Sequence, residues 1–331
     1  MNKQKDFNKI ISNNIFIKKR KYALIIGETP SKGARSPKLW NKVYRKYKDR
    51  TKMFPADVST KNLQKLMHYI RSDNLFIGSA ITAPYKEKIL KYINVISPEA
   101  KVIGSINTVK KINNELEGHN TDYHGAIKSL MTFKKKKNIL ILGCGGAGKA
   151  VILACIKNFN NAFFYLYNRD TKKLSKFIKK TKLKKYKIVD NKKILSLKNI
   201  DLTINSTSVG FNSWVFKNKK FYNLMFFTPF SSLNKICGIR TRNKKEFFKK
   251  NQDYINQDKL NYLKFLEKNS NCEFFDIIYH PLMTKFLKLA KINGHKILNG
   301  LQMNLDQAVK AFSIVNNKKI KKINTWMKTN G

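Results

Sequence analysis

The chain has 331 residues, which is long enough for two domains with separate hydrophobic cores. Hydrophobic residues make up 42% of it and aromatic residues 12%, a composition that excludes a disordered chain. The formal net charge is +48, but the lysines are spread over the whole sequence. We interpret this charge as a compositional bias that attracts anionic small molecules, and we do not expect nucleic acid to be the main partner.

Neither a membrane segment nor a secretory signal is expected. No apolar run approaches the ~18 residues of a membrane helix, and the N-terminus lacks an apolar segment with a cleavage site. The cysteines have no C-x-x-C spacing and form no metal pattern with the five histidines, so we expect free thiols, no metal and a cytoplasmic location. The cysteines are Cys144, Cys155, Cys237 and Cys272.

The first part of the chain alternates apolar runs with strand and helix periodicity, which predicts a self-contained α/β unit. Strands are predicted at 22–27 and 75–82, helices at 37–47, 62–71, from near 84, and at 122–131, and a hairpin at 102–117.

A glycine cluster then follows an apolar run in the stretch NILILGCGGAGKA, residues 138–150, and a helix-like segment follows the cluster. This order lets backbone N–H groups and a helix N-terminus bind a pyrophosphate. A plain strand-to-helix turn also uses glycine, so the motif alone leaves both interpretations open. The residues of this turn are Gly143, Gly145, Gly146, Ala147 and Gly148.

The next apolar run, 163–167, ends in Asn168 and Arg169, with Lys173 one helical turn further on. Sites for NAD usually place an acid here, whereas an arginine suits the 2′-phosphate of NADP. Asp170 directly follows the arginine and weakens the distinction. We interpret the pattern as favouring NADP over NAD.

Further strands at 186–189, 201–205 and 274–279 predict a parallel, doubly wound sheet that contains the glycine turn. Residues 211–271 interrupt this unit, and their apolar part, 221–230, is interpreted as a partner surface, a lid or a mobile loop. A final helix is predicted near 303–315.

Polar residues follow several of the predicted strands, where α/β proteins bind ligands. Reducing a ketone by hydride transfer needs a proton donor for the oxygen and a carboxylate that orients it, and Lys86 and Asp122 are candidates. Taken singly, each has an ordinary alternative: a solvated lysine and a helix N-cap.

Taken together, the polar strings resemble the shikimate dehydrogenase family over about residues 22–312, except for 211–271. The strings, in order, are ITAPYKE, GSINTV, GHNTDYHG, GCGGAGKA, YNRD, NSTSVG, DIIYHP and NGLQMNLDQA. The resemblance implies two α/β domains: a substrate-binding domain, 22–125 plus 300–331 with a returning C-terminal helix, and a Rossmann-type NADP-binding domain, 126–299. It also implies the reversible NADPH-dependent reduction of 3-dehydroshikimate to shikimate.

The family's functional residues are carried over by motif. Its catalytic pair falls on Lys86 and Asp122. The implied substrate contacts are Ser36, Thr82, Lys86, Asn107, Asp122, Tyr279 and Gln307. The implied cofactor contacts are Gly143, Gly145, Gly146, Ala147, Asn168, Arg169, Lys173, Thr207, Gly300 and Met303.

One departure concerns the two serines that usually bind the substrate carboxylate. Ser36 matches the second, but Ala34 stands where the first is expected. Losing a hydroxyl that binds a carboxylate costs about 1–3 kcal/mol. Lys32 and Arg35 lie nearby, either as compensating ligands, with Arg35 pairing to the carboxylate, or as solvated side chains.

Three functions therefore stay open at this point. The first is shikimate dehydrogenase activity with a small-molecule substrate. The second is a related oxidoreductase for quinate or another cyclic polyol carboxylate, which the altered serine motif favours. The third is a basic binding protein without activity, against which the intact Lys86 and Asp122 argue. The resemblance implies a monomer or a homodimer.

Overall fold

The computed structural model describes residues 3–17, 19–212 and 214–328. The chain divides into two compact units: Met1–Ala126 with Leu305–Gly331, and Ile127–Asn304, called the first and second units below. The predicted α/β class with two domains is confirmed. Residues 329–331, which end the predicted segment 300–331, lie outside the described part of the chain.

The secondary structure alternates between strands and helices along the chain. The strands are β1 Tyr22–Gly27, β2 Lys52–Asp57, β3 Phe76–Ile81, β4 Val95–Ile96, β5 Thr108–Ile112, β6 Glu115–His119, β7 Asn138–Leu142, β8 Phe163–Tyr167, β9 Tyr186–Ile188, β10 Leu202–Asn205, β11 Trp214–Lys217, β12 Lys220–Asn223, β13 Glu273–Asp276 and β14 Ile297–Leu298. The α-helices are α1 Lys3–Ile10, α2 Ser36–Lys46, α3 Leu63–Ser72, α4 Pro98–Ile103, α5 Thr121–Leu130, α6 Gly146–Asn158, α7 Thr171–Thr181, α8 Asn191–Ile194, α9 Lys244–Lys250, α10 Gln252–Lys268, α11 Lys285–Ile292, α12 Leu301–Asn316 and α13 Ile320–Lys328.

The first unit is built on a mixed six-stranded sheet in the order β2-β1-β3-β5-β6-β4. The central strand β1 is parallel to β2 and β3, while β5 is antiparallel to β3 and β6. Alternate residues of β1 enter two apolar clusters: Tyr22, Leu24 and Ile26 pack in one, and Ala23 and Ile25 in the other. The sheet is therefore buried on both faces, as expected for parallel central strands.

Two predictions in the first unit were wrong. The helix expected from near residue 84 is a 3₁₀ helix that begins at Lys88. The first arm of the hairpin expected at 102–117 is partly helical, because Pro98 opens α4 and Gly104 ends it with a left-handed φ of 66°. The hairpin itself is formed by β5 and β6.

Strand β2 was not predicted, and its sequence KMFPAD contains a proline. Proline cannot donate a ladder hydrogen bond, so it argues against a central strand. The structure places β2 at the edge of the sheet, where it pairs only with β1 within the described residues. An edge strand tolerates Pro55.

The second unit contains a parallel six-stranded sheet in the order β14-β13-β10-β7-β8-β9. Every pairing in it is parallel, which confirms the predicted doubly wound sheet. β7, which leads into the glycine turn, is central, and β8 and β10 lie on either side of it. The carboxyl ends of these three strands therefore lie side by side.

Residues 211–271, for which the sequence predicted no secondary structure, are largely regular in the structure. They form the β11–β12 hairpin, α9 and α10. Phe227 is fully buried and Phe230 is 6% exposed, so these two apolar side chains pack inside the unit. Among the described residues, no helix has the length and apolarity needed to cross a bilayer.

Candidate active site

Lys86 and Asp122 lie together in the first unit, although 36 positions separate them. Lys86 follows the end of β3, and Asp122 lies in the first turn of α5, directly after β6. The Lys86 Nζ donates to the Asp122 Oδ2 at 2.5 Å. The exposed fractions of the two side chains are 22% and 10%, so the pair is shielded but open to a ligand.

Asn107, just before β5, orients the carboxylate of this pair. Its Nδ2 donates to the Asp122 Oδ1 at 2.8 Å, while its Oδ1 accepts from the Thr121 backbone N at 2.7 Å. Each Asp122 oxygen thus has its own donor, which fixes the plane of the carboxylate. The same Asn107 Nδ2 lies 3.4 Å from the Gln307 Oε1, so Gln307, on α12, belongs to the cluster.

Thr82 lies at the end of β3, beside the end of β1. Its backbone N donates to the Ile26 carbonyl at 2.9 Å. A Cβ on Gly27 would come within 2.3 Å of the Thr82 Cγ2. Gly27 therefore lets the two strand ends approach and sets the place of Thr82.

The segment that carries Ala34 and Ser36 is held by an acid that the sequence analysis did not identify. The Ser31 backbone N donates to the Asp57 Oδ1 at 2.9 Å, and the Ser31 Oγ donates to the Asp57 Oδ2 at 2.5 Å. Asp57 is 7% exposed at the end of β2. Ser36 begins α2, while Ala34 packs against the apolar cluster that contains Trp40.

The glycine turn in the second unit links the end of β7 to α6. Gly143 has a φ of +107°, and a Cβ there would lie 2.9 Å from the Ser206 carbonyl. A Cβ on Gly148 would lie 2.7 Å from the Gly143 oxygen, whereas a Cβ on Gly145 would have no heavy atom within 4 Å. Two of these glycines permit close packing, and Gly145 faces open space at the helix N-terminus. Gly146 and Ala147 form the first turn of α6.

Asn168 connects this turn to the end of β8. Its Oδ1 accepts from the Cys144 backbone N at 3.0 Å, and its Nδ2 donates to the Asp170 carbonyl at 2.8 Å. The Asp170 carboxylate caps α7 by accepting from the Lys173 backbone N at 2.8 Å. Asp170, the acid that weakened the distinction between NADP and NAD in the sequence, therefore acts as a helix cap. The neighbouring Arg169 side chain is exposed.

A cavity of about 320 Å³ opens beside the turn and is lined by Gly143, Gly145, Asn168, Arg169 and Thr207, among others. The cavity extends from the open side of the glycine turn to the exposed guanidinium of Arg169. A phosphorylated dinucleotide needs both, the turn for its pyrophosphate and the guanidinium for its additional phosphate. The residues present therefore fit NADP.

Thr207 is supported by a buried network between two residues of the family strings, Asn205 and Asp276, whose pairing the sequence did not predict. The Asn205 Oδ1 accepts from the Thr207 Oγ1 at 2.7 Å, while the Asn205 Nδ2 donates to the Asp276 Oδ1 at 3.0 Å. The Asp276 Oδ1 also accepts from the Ile278 backbone N at 3.0 Å, and the Asp276 Oδ2 accepts from the Thr284 Oγ1 at 2.7 Å. Burial raises the pKa of Asp276 to about 7, and the hydrogen bonds from these three donors only partly offset it.

The remaining predicted residues, Tyr279, Gly300 and Met303, lie in the second unit after β13. Tyr279 is half-buried and Met303 is 5% exposed. The Gly300 N donates to the Ile278 carbonyl at 3.0 Å, and a Cβ at Gly300 would fall 1.9 Å from the Ile277 oxygen. Packing alone thus requires glycine at 300; the ligand contacts expected of these three residues stay predictions.

Comparison with known proteins places these features in one family. Residues 25–109 match the model of the shikimate dehydrogenase substrate binding domain. The chain is 32% identical over 242 residues to the shikimate dehydrogenase (NADP(+)) of Aquifex aeolicus, covering 72% of this chain and 71% of that protein. It is 31% identical over 299 residues to the corresponding protein of Pelagibacter ubique, covering 89% and 93%.

A solved structure agrees with the sequence relatives. The crystal structure of shikimate dehydrogenase from Aquifex aeolicus superposes with a TM-score of 0.70 at 27% identity, covering 96% of this chain and all of that one. The similarity thus extends over both units. The chain belongs to the shikimate dehydrogenase family.

Proposed function

We propose that this protein catalyses the reversible NADPH-dependent reduction of 3-dehydroshikimate to shikimate. The observation that carries the proposal is the Lys86–Asp122 pair, 2.5 Å apart, with Asn107 bonded to the same carboxylate. Relatives that cover most of the chain are shikimate dehydrogenases that use NADP(+). The proposed catalytic residues are Lys86 and Asp122.

The reduction of the ketone needs two transfers, a hydride to the carbonyl carbon and a proton to the carbonyl oxygen. Bound NADPH supplies a hydride to the carbonyl carbon. As negative charge develops on the carbonyl oxygen, the Lys86 Nζ gives it a proton, so that an N–H bond breaks and an O–H bond forms. Asp122 holds the Lys86 Nζ in place, and in the reverse direction Lys86 takes the hydroxyl proton back.

The other proposed contacts follow from the family motifs. We assign substrate hydroxyl contacts to Thr82, Asn107, Gln307 and Tyr279, and the carboxylate to Ser36, with Arg35 as a further ligand. The half-buried cluster supports the first group, because Asn107 and Gln307 are already oriented by hydrogen bonds.

For the cofactor, we assign the pyrophosphate to the glycine turn and the 2′-phosphate to Asn168, Arg169 and Lys173. The exposed Arg169 guanidinium and the open side of Gly145 support this assignment. Thr207, Gly300 and Met303 are proposed as the remaining cofactor contacts, with Gly300 and Met303 near the nicotinamide.

We further propose a cytoplasmic protein that acts as a monomer or homodimer on a small anionic substrate. The four free cysteines support a reducing compartment, where thiols persist.

Steady-state oxidation of shikimate and of quinate, each with NADP and with NAD, tests the function at the nicotinamide absorbance. We expect efficient turnover of shikimate with NADP. Turnover of quinate without turnover of shikimate would move the activity to the related polyol substrate. Absence of turnover with every pair would contradict the oxidoreductase assignment.

A further inference from the structure

Part of the cofactor cavity is built by the 211–271 segment, which lies outside all the family strings. Pro229, Ser231 and Leu233 line the same cavity as Asn168 and Arg169. These three residues belong to the connection between β12 and α9. The segment therefore contributes side chains to the nucleotide site.

This part of the cavity wall is anchored by a buried carboxylate. Asp258, on α10, is 1% exposed. It accepts from the Thr228 backbone N at 3.0 Å and the Thr228 Oγ1 at 2.8 Å, and from the Ser231 Oγ. The Lys285 Nζ, at 3.2 Å, balances its charge. The residues on both sides of Pro229 are thus tied to one helix.

Further contacts hold the same stretch of backbone. The Tyr254 hydroxyl donates to the Ser232 carbonyl at 2.9 Å. Phe230 packs against Tyr262 and Phe265, with ring centroids 4.9 and 4.7 Å apart. The wall is therefore an ordered surface joined to the core of the unit.

The chemistry of the cavity differs between its two sides. Asn168 and Arg169 follow β8, whereas Val209 follows β10, and these strands flank β7 on opposite sides. The β8 side offers groups for phosphate. On the β10 side, Val209, Pro229 and Leu233 offer an apolar surface, which suits the face of a planar purine.

We infer that residues 228–233 form the adenine-binding wall of the NADP site, with Pro229 and Leu233 covering the base. This inference rests on the proposed cofactor and deepens it. It makes Leu233 a binding determinant supplied by the chain's own 211–271 segment.

The test is a Leu233→Ala variant of the full chain, titrated by calorimetry with adenosine 2′,5′-bisphosphate and with NADP. Removing the apolar contact is expected to raise the Kd of both ligands about tenfold, and by equal factors, because both carry the adenine. The matched control is Leu260→Ala on α10, where the leucine is 52% exposed and away from the cavity lining. This variant is expected to bind both ligands like the wild type.

A Leu233→Met variant controls for a general loss of structure, because methionine nearly preserves the side-chain volume. Its Kd values for both ligands are expected to lie within about twofold of those of the wild type. Unchanged bisphosphate affinity in Leu233→Ala, with a wild type that binds, would overturn the inference alone. A wild type that binds neither NADP nor the bisphosphate would overturn the proposed cofactor as well.

Discussion

The polar centres of the two units use a carboxylate in opposite ways. In the first unit, Asp122 is partly open and accepts from a cation, the Lys86 ammonium. In the second, Asp276 is fully buried and accepts only from neutral donors among the described residues. The first arrangement leaves a charged pair partly exposed, whereas the second uses a carboxylate to join strand ends and the segment that carries Thr207.

The same contrast extends to how each unit handles its ligand. The first unit offers charged and amide side chains in a half-buried cluster. The second offers backbone and an open glycine turn, and Arg169, the proposed phosphate ligand, is an exposed residue of the cavity lining. Chemistry is thus expected to depend on the first unit and affinity for the cofactor on the second.

The largest effect is expected from Lys86→Ala, which removes the proposed proton donor. General acid–base catalysis contributes about 10²–10⁴-fold, so kcat should fall by about 10³-fold. The Kd for NADP, measured by fluorescence titration, should stay unchanged. Lys88→Ala, which alters an exposed lysine two positions further on, is the control. A loss of kcat below tenfold would remove Lys86 as the proton donor.

The pH dependence of stability tests the buried carboxylate. Asp276 has a folded pKa of about 7 against an ordinary value of 3.8, so between these values the folded state holds a proton that the unfolded state has lost. The free energy of unfolding should therefore fall as pH rises from about 4 to about 7, by up to roughly 4 kcal/mol from this group.

Asp276→Asn isolates this contribution, because an amide does not titrate. Its Oδ1 can still accept from Asn205 and Ile278, while its Nδ2 faces the Thr284 hydroxyl. Urea unfolding at pH 5 and at pH 7.5 should show a smaller fall in the variant than in the wild type. Equal falls would contradict a raised pKa for Asp276.

Arg169→Ala tests the proposed contact between this side chain and the 2′-phosphate of NADP. A charge-assisted hydrogen bond to phosphate contributes about 1.5–3 kcal/mol, so the Kd for NADP should rise about 10- to 100-fold. The Kd for NAD, which lacks the 2′-phosphate, should not change. Lys172→Ala, an exposed residue in the first turn of α7, serves as the control. Equal losses for both cofactors would contradict the 2′-phosphate assignment.

Much of the fold could be predicted because the central strands are continuous apolar runs. β1 and β8 were predicted to the residue on this pattern. The structure of 211–271 escaped prediction for a local reason: α10 carries its apolar stripe at Ile255, Tyr262 and Phe265, but Asp258 stands within that stripe. A buried acid hides the helical period unless its partners are known.

The candidate site was predictable only where motifs name the residues. Family strings contained Lys86, Asn107 and Asp122, and the structure brings these three together. Asn205 and Asp276 also stand in family strings, but the bond between them joins residues 71 positions apart on neighbouring strands, and neither string indicates that the two side chains meet. The same limit applies to Asp57 and Ser31, which meet only because β1 and β2 are neighbours.

The smallest effect is expected from Ala34→Ser, which restores the usual first serine of the substrate site. A hydroxyl bonded to the substrate carboxylate contributes about 1 kcal/mol, so the KM for shikimate should fall about fivefold, while the KM for NADP stays constant as the internal control. The expected gain is small because Ala34 packs against an apolar cluster, where a hydroxyl costs desolvation. If the KM for shikimate is unchanged or higher, the carboxylate is bound by other residues. Lys32 and Arg35, which flank this position, are then the side chains to replace next, because each offers a cation where the serine offered a single hydroxyl.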